Sequence, residues 1–228
     1  MAAGMFVLAL TAGGCSPSRA SAETGAVVAA SSPTLECALK DLLGDGTAVV
    51  SLAEPGGCPG HFDLRPSQIA ALGGCKLLAR LDFQASLDRK LGDSGGGGPA
   101  IAAVTAAGGM CEPATYAGIC RQVGQALAAR GMISSDRLQA GLSAVETRMS
   151  ALAGRCRDRM RSAGLAGAVV VASGHQAAFC RWLGLEVKEM FTSAETAGVG
   201  EIAQAIGAGG SVVRSEEHTS ELQSPNTI

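Results

Sequence analysis

The stretch Val169-Val-Val-Ala-Ser-Gly-His175-Gln-Ala-Ala-Phe179-Cys-Arg-Trp-Leu-Gly-Leu185-Glu-Val187 decides the fold class. Residues 167–172 form a continuous apolar run rich in Val, which predicts a strand buried on both faces. Small residues and a His follow. A helix is then expected over 176–183, and a second strand over 185–190. Strand, helix and strand in that order make a crossover unit of a parallel sheet. Toward the N-terminus the alternation repeats. Helices are expected at 33–43, from 65–67 to about 73, at 85–91 and at 113–130. Strands are expected at 48–52, 76–82 and 101–105. Toward the C-terminus a helix at 200–206 precedes the start of a strand at 211–213.

Between the two strand-rich halves lies a long amphipathic helix. Ser134 or Ser135 offers an N-cap, with Asp136 suited to the positive end of the helix dipole. Leu138, Leu142, Val145, Met149, Leu152, Cys156 and Met160 then recur at steps of three and four, up to Gly164. Two readings stand: an amphipathic helix packed on one core, or a rigid strut joining two lobes. The fold class expected is α/β, with two Rossmann-like lobes of parallel sheet joined by a long spanning helix, the second lobe truncated. The expected divisions are 33–133, 134–164 and 165–213.

Composition narrows the function. The chain has 228 residues, 47% hydrophobic and 17% charged, so an intrinsically disordered chain is excluded. No apolar run approaches the length of a membrane span, which excludes a polytopic membrane protein. A net charge of −2 argues against a nucleic-acid binder held by phosphate contacts. The tail 214–224, Arg-Ser-Glu-Glu-His-Thr-Ser-Glu-Leu-Gln-Ser, resembles a translated sequencing adapter. Residues 214–228 are therefore read as non-native. Without them two histidines remain, His61 and His175.

The N-terminus reads as an export signal. Residues 5–12 are apolar but too short to span a bilayer, and Ala12-Gly13-Gly14-Cys15 resembles a bacterial lipobox. The expectation is a signal segment over 1–15, a lipid-bearing Cys15 and a tether of small residues over 16–32. An oxidising compartment makes disulfides possible. Apart from Cys15 there are seven cysteines: Cys37, Cys58, Cys75, Cys111, Cys120, Cys156 and Cys180. Their pairing cannot be read from spacing.

His61 and His175 each follow a predicted strand, where ligands of parallel sheets bind. Two local motifs resemble one family. Cys58-Pro-Gly-His61-Phe-Asp-Leu-Arg-Pro66-Ser67-Gln68 matches its His in a Pro/Gly loop ahead of a Pro-Ser helix start. The stretch 169–187 matches its strand, His, aromatic and Gly-Leu-Glu-Val series. In this order, and around a long helix, they resemble the cluster A-I solute-binding lipoproteins of zinc and manganese ABC importers over about residues 33–213.

That resemblance implies four ligands, two from each lobe, clamping the lobes on a transported metal ion. By position His61 is the first ligand and His175 the third. The second is usually a His before a helix; here Gly108-Gly-Met-Cys111-Glu-Pro113 has none, and Cys111 is the nearest donor. The fourth, a carboxylate, would lie beyond the end of this sequence. Imidazole with thiolate favours zinc, with manganese the alternative. The implied partner is an ABC permease, and the implied place is the periplasm or cell surface, anchored through Cys15. The implied role is non-enzymatic.

Other readings stand beside these. Cys111 could instead pair with Cys58, Cys75 or Cys180. Asp63 and Glu112 are carboxylates either solvated or placed to orient a His, and Phe179 and Trp182 are expected in a core. A metal-free, adhesin-like lipoprotein is the rival function. A zinc hydrolase is weaker, because neither a His-Glu-x-x-His helix nor a Gly-x-Ser-x-Gly elbow is present.

Overall fold

The computed structural model describes residues 27–53, 64–92, 98–192, 198–207 and 211–212. Its first sheet is built from β1 (Val28–Ala30), β2 (Val49–Ser51), β3 (Leu77–Leu81) and β4 (Ala100–Val104), all parallel, in the order β2-β1-β3-β4. The central strand β1 was not expected. Residues 28–32 fall in the segment read as a tether, yet Val28, Ala29 and Ala30 are fully buried. The sequence there is all small residues, which resembles linker composition. Small side chains are also what a three-residue strand covered on both faces accommodates.

Helices cover both faces of this sheet. On one lie α1 (Pro33–Leu43), α4 (Pro113–Ala128) and α5 (Ser135–Ser162), packed with Val28, Ala30, Leu77, Ala79 and Leu81. On the other lie α2 (Pro66–Leu72) and α3 (Ser86–Gly92), whose Leu72 and Leu91 pack with Ala29 and Leu78. Alternate residues of β1 and β3 thus feed opposite cores, as the two-residue period of a strand requires.

α1 has the limits its sequence announces. Ser32 Oγ accepts the Leu35 N–H at 3.4 Å, Pro33 opens the first turn, and Gly44 at φ 99° ends the helix. Leu35, Leu39 and Leu42 form its buried stripe, each contributing about 1.5–3 kcal/mol.

The long helix α5 is capped by Ser134, whose Oγ accepts the Arg137 N–H. The Arg137 side chain reaches back to α1, where Nε donates to the Leu42 carbonyl at 3.2 Å and Nη2 to the Leu43 carbonyl. Two of the last carbonyls of α1 are thereby satisfied. The apolar stripe of α5 is used unevenly. Val145 is buried, and Leu138, Leu142 and Met149 pack against the first core, whereas Leu152 is exposed.

The second sheet has β5 (Val169–Ser173) at its centre, flanked by β6 (Glu186–Phe191) and β7 (Ser211–Val212), all parallel. α6 (Gly174–Trp182) connects β5 to β6, and α7 (Val199–Gly207) precedes β7. Val170, Ala172, Ala177 and Cys180 make its small core. The α/β class with parallel sheets is therefore what the alternation implied. Phe179 and Trp182 are half-buried and stack on each other, with ring centroids 5.5 Å apart. Among the described residues no helix is long and apolar enough to cross a membrane.

Candidate metal centre

Each candidate donor lies on a segment that leaves the carboxyl end of a parallel strand. After β2 comes the segment holding Cys58, His61 and Asp63, which lie outside the described residues. Its two ends are held by one side chain. Gln68 Nε2 donates to the Leu52 carbonyl at 2.9 Å, and Gln68 Oε1 accepts the Arg65 N–H at 2.9 Å. Pro66 lacks an N–H and suits the first turn of α2. Sequence inspection did not single out Gln68, although a Gln three residues after a helix start is a capping-box signal.

After β4, the loop 105–112 carries Cys111, which is exposed. The side-chain amide of Gln122 continues the strand's pairing: Oε1 accepts the Thr105 N–H at 3.0 Å and Nε2 donates to the Thr105 carbonyl at 2.8 Å. The Gly109 N–H donates to Glu112 Oε1 at 2.9 Å, and Thr115 Oγ1 donates to the Ala107 carbonyl at 3.1 Å. Gly108 has φ 108°, and a Cβ there would lie 2.9 Å from Thr115 Oγ1, so the turn requires glycine. Glu112 thus holds its own loop in shape.

After β5, the helix α6 begins at Gly174, two residues earlier than its sequence suggested. His175 therefore lies inside the first turn, and it is exposed. Ala178, three residues on, occupies the same side of the helix. A Cβ built on Gly109 would lie 3.4 Å from Ala178 Cβ. The Cys111 loop of the first sheet is therefore in contact with the His175 helix of the second. Nothing in the local sequence signals this approach.

The structure also bears on the alternative partners of Cys111. Cys75 precedes β3, whereas Cys111 follows β4, so the two lie at opposite ends of a parallel sheet five residues deep, about 17 Å. Cys75 is buried, and its Sγ donates to the Ala71 carbonyl at 3.6 Å. Cys180 is buried in the second core. Burial pushes both thiols up. Among the described residues no group of three or more His, Cys, Asp or Glu side chains is placed to hold a metal ion.

No protein-family model matches the sequence, and none of the curated proteins does. Solved structures do match in fold. One is ZnuA, with TM-score 0.63 and 18% identity over 79% of this chain and 76% of that one. Another is the solute-binding protein FpvC from Pseudomonas aeruginosa in complex with Ni2+, with TM-score 0.62 and 14% identity over 79% and 73%. A third is a Mn-bound periplasmic metal binding protein from Candidatus Liberibacter asiaticus, with TM-score 0.62 and 11% identity over 79% and 74%. The chain has the α/β fold with parallel sheets that these metal-binding proteins share.

Proposed function

We propose that this protein captures a transition metal ion outside the cytoplasm and delivers it to an ABC importer. Zinc is the cargo the donors favour, since neutral imidazole and thiolate both suit it, and manganese is the alternative. His61, Cys111 and His175 are the proposed ligands. The observation that carries this reading is the contact between Gly109 and Ala178, which sets the Cys111 loop against the helix of His175. The fold supports it as well: matching structures include a Mn-bound protein, a Ni2+ complex and a zinc-bound ZnuA deletion mutant.

In this reading residues 134–164 join two lobes, one ending β2 and β4 at the site and the other ending β5. Cys15 carries a lipid that keeps the receptor at the membrane. Because α5 packs along α1 and α4, capture proceeds by local ordering of the donor loops more than by a wide hinge.

Calorimetric titration of the full chain with zinc tests the proposal. Binding that is lost in His61→Ala and in His175→Ala, and weakened in Cys111→Ser, is expected. No zinc uptake by the unmutated chain, or uptake indifferent to both histidines, sinks it. A metal-free lipoprotein is the second reading, favoured by Cys111 standing where the resemblance has a His. Metal analysis of the purified protein separates the two.

A further inference from the structure

The densest set of reactive side chains away from the strand ends lies where α1, α4 and α5 meet. Tyr116 Oη donates to Asp41 Oδ2 at 2.5 Å, and Arg148 Nη2 pairs with the same carboxylate oxygen. Cys37 lies one turn before Asp41 on α1, and Cys120 one turn after Tyr116 on α4. Cys37 is exposed, Cys120 is fully buried, and both are thiols.

The packing of the two helices sets these cysteines level. α1 and α4 each follow a strand of one parallel sheet and share one of its faces, so they run in the same direction. A Cβ built on Gly124 would lie 3.5 Å from Leu42 Cδ1, which fixes their relative register. Four residues back on both helices brings Cys120 level with Ala38, the sequence neighbour of Cys37. Cys37 and Asp41 from α1, Tyr116 from α4 and Arg148 from α5 are near enough to act electrostatically on the Cys120 thiol. Burial is the main cause that pushes the Cys120 thiol up to about 11, and the bond to Tyr116 offsets part of that push.

We propose that Cys37 and Cys120 form an oxidisable pair, closing to a disulfide that ties α1 to α4 when the protein meets a disulfide-bearing oxidant. The Cys37 thiolate attacks one sulfur of the oxidant and expels the other as a thiolate, leaving a mixed disulfide. The Cys120 thiolate then attacks Cys37 Sγ and expels the second oxidant sulfur. Two protons leave the protein thiols and end on the two released thiols, so the oxidant is reduced by two electrons. The exposed residue makes the first contact, and the buried one resolves it.

α1 starts beside Ser32 and α4 starts directly after the Cys111 loop, so the bridge braces the carboxyl end of the first sheet. The loop it closes is long, which is where crosslinks restrict the unfolded chain most. The pairing does not depend on metal capture.

The test is to incubate the reduced full chain with oxidised glutathione at mildly alkaline pH and map its peptides without reduction. The expected result is a linked pair carrying positions 37 and 120, two hydrogen masses lighter than the separate peptides. A Tm rise of about 5–10 °C that a dithiol reductant reverses should accompany it. Cys37→Ser should abolish both changes, and Cys120→Ala should leave Cys37 as a glutathione adduct. If Cys120→Ala does not fold, the exposed Cys37→Ser decides alone. A native chain that retains the adduct at Cys37, links Cys37 to another cysteine, or becomes crosslinked with no change in Tm overturns the proposal.

Discussion

Gln68 spans the mouth of the His61 segment: its Nε2 donates to the Leu52 carbonyl and its Oε1 accepts the Arg65 N–H, each at 2.9 Å. One side chain therefore sets the distance between the end of β2 and the start of α2. The Arg65 bond is the capping-box contact that starts α2, and the Leu52 bond ties that helix start to the end of β2.

Gln68→Ala should destabilise the first lobe by about 1–2 kcal/mol, the sum expected for losing one partly buried and one exposed hydrogen bond. Urea denaturation checks this. Gln68→Glu keeps the acceptor for Arg65 and loses the donor to Leu52, so it should fall between the two. A Gln68→Ala midpoint equal to that of the parent would show that neither bond contributes.

Gly109→Val should weaken zinc capture more than it weakens the fold. The first added carbon would already lie 3.4 Å from Ala178 Cβ and 2.9 Å from Glu112 Oε1. The carboxylate can swing away, but Ala178 is carried by a helix, so a branched side chain pushes α6 from the loop. About a tenfold loss of zinc affinity is expected, equivalent to about 1.4 kcal/mol, with only a small change in Tm. Unchanged affinity would count against Cys111 and His175 sharing an ion.

Alkaline pH should destabilise the reduced protein. Cys120 titrates at about 11 in the folded chain, against an ordinary value of 9.0. Tyr116 is also raised, by burial first and by its bond to Asp41 second. Between pH 9 and 11 the unfolded chain gives up a thiol proton that the folded chain keeps. The contribution is fully present below pH 9 and is lost as pH climbs toward 11. Melting temperatures measured from pH 8.5 to 10.5 should fall, and fall less steeply in Cys120→Ala.

Local pattern carried most of the fold. The limits of α1 follow from Ser32, Pro33 and Gly44, and the start of α5 follows from Ser134, because capping chemistry is written in adjacent residues. β1 escaped notice because Val28, Ala29 and Ala30 have no flanking alternation, and only pairing with β2 and β3 makes them a strand. The candidate centre was legible as loops that follow strands. The approach of Gly109 to Ala178 was not, since it joins residues about seventy positions apart through packing that no short window contains. The Cys37–Cys120 relation is hidden for the same reason: it depends on the register of two helices separated by three strands.

β1 is translated before every strand it touches, yet it occupies the middle of its sheet. One neighbour, β2, emerges about twenty residues later, and the other, β3, nearly fifty later. On the ribosome, three small residues must stay unpaired until a whole crossover has followed them. A holdase that shields this early segment would therefore raise the yield of folded protein, and trimming the chain to begin at Pro33 would remove the plank on which both sides of the first lobe are laid.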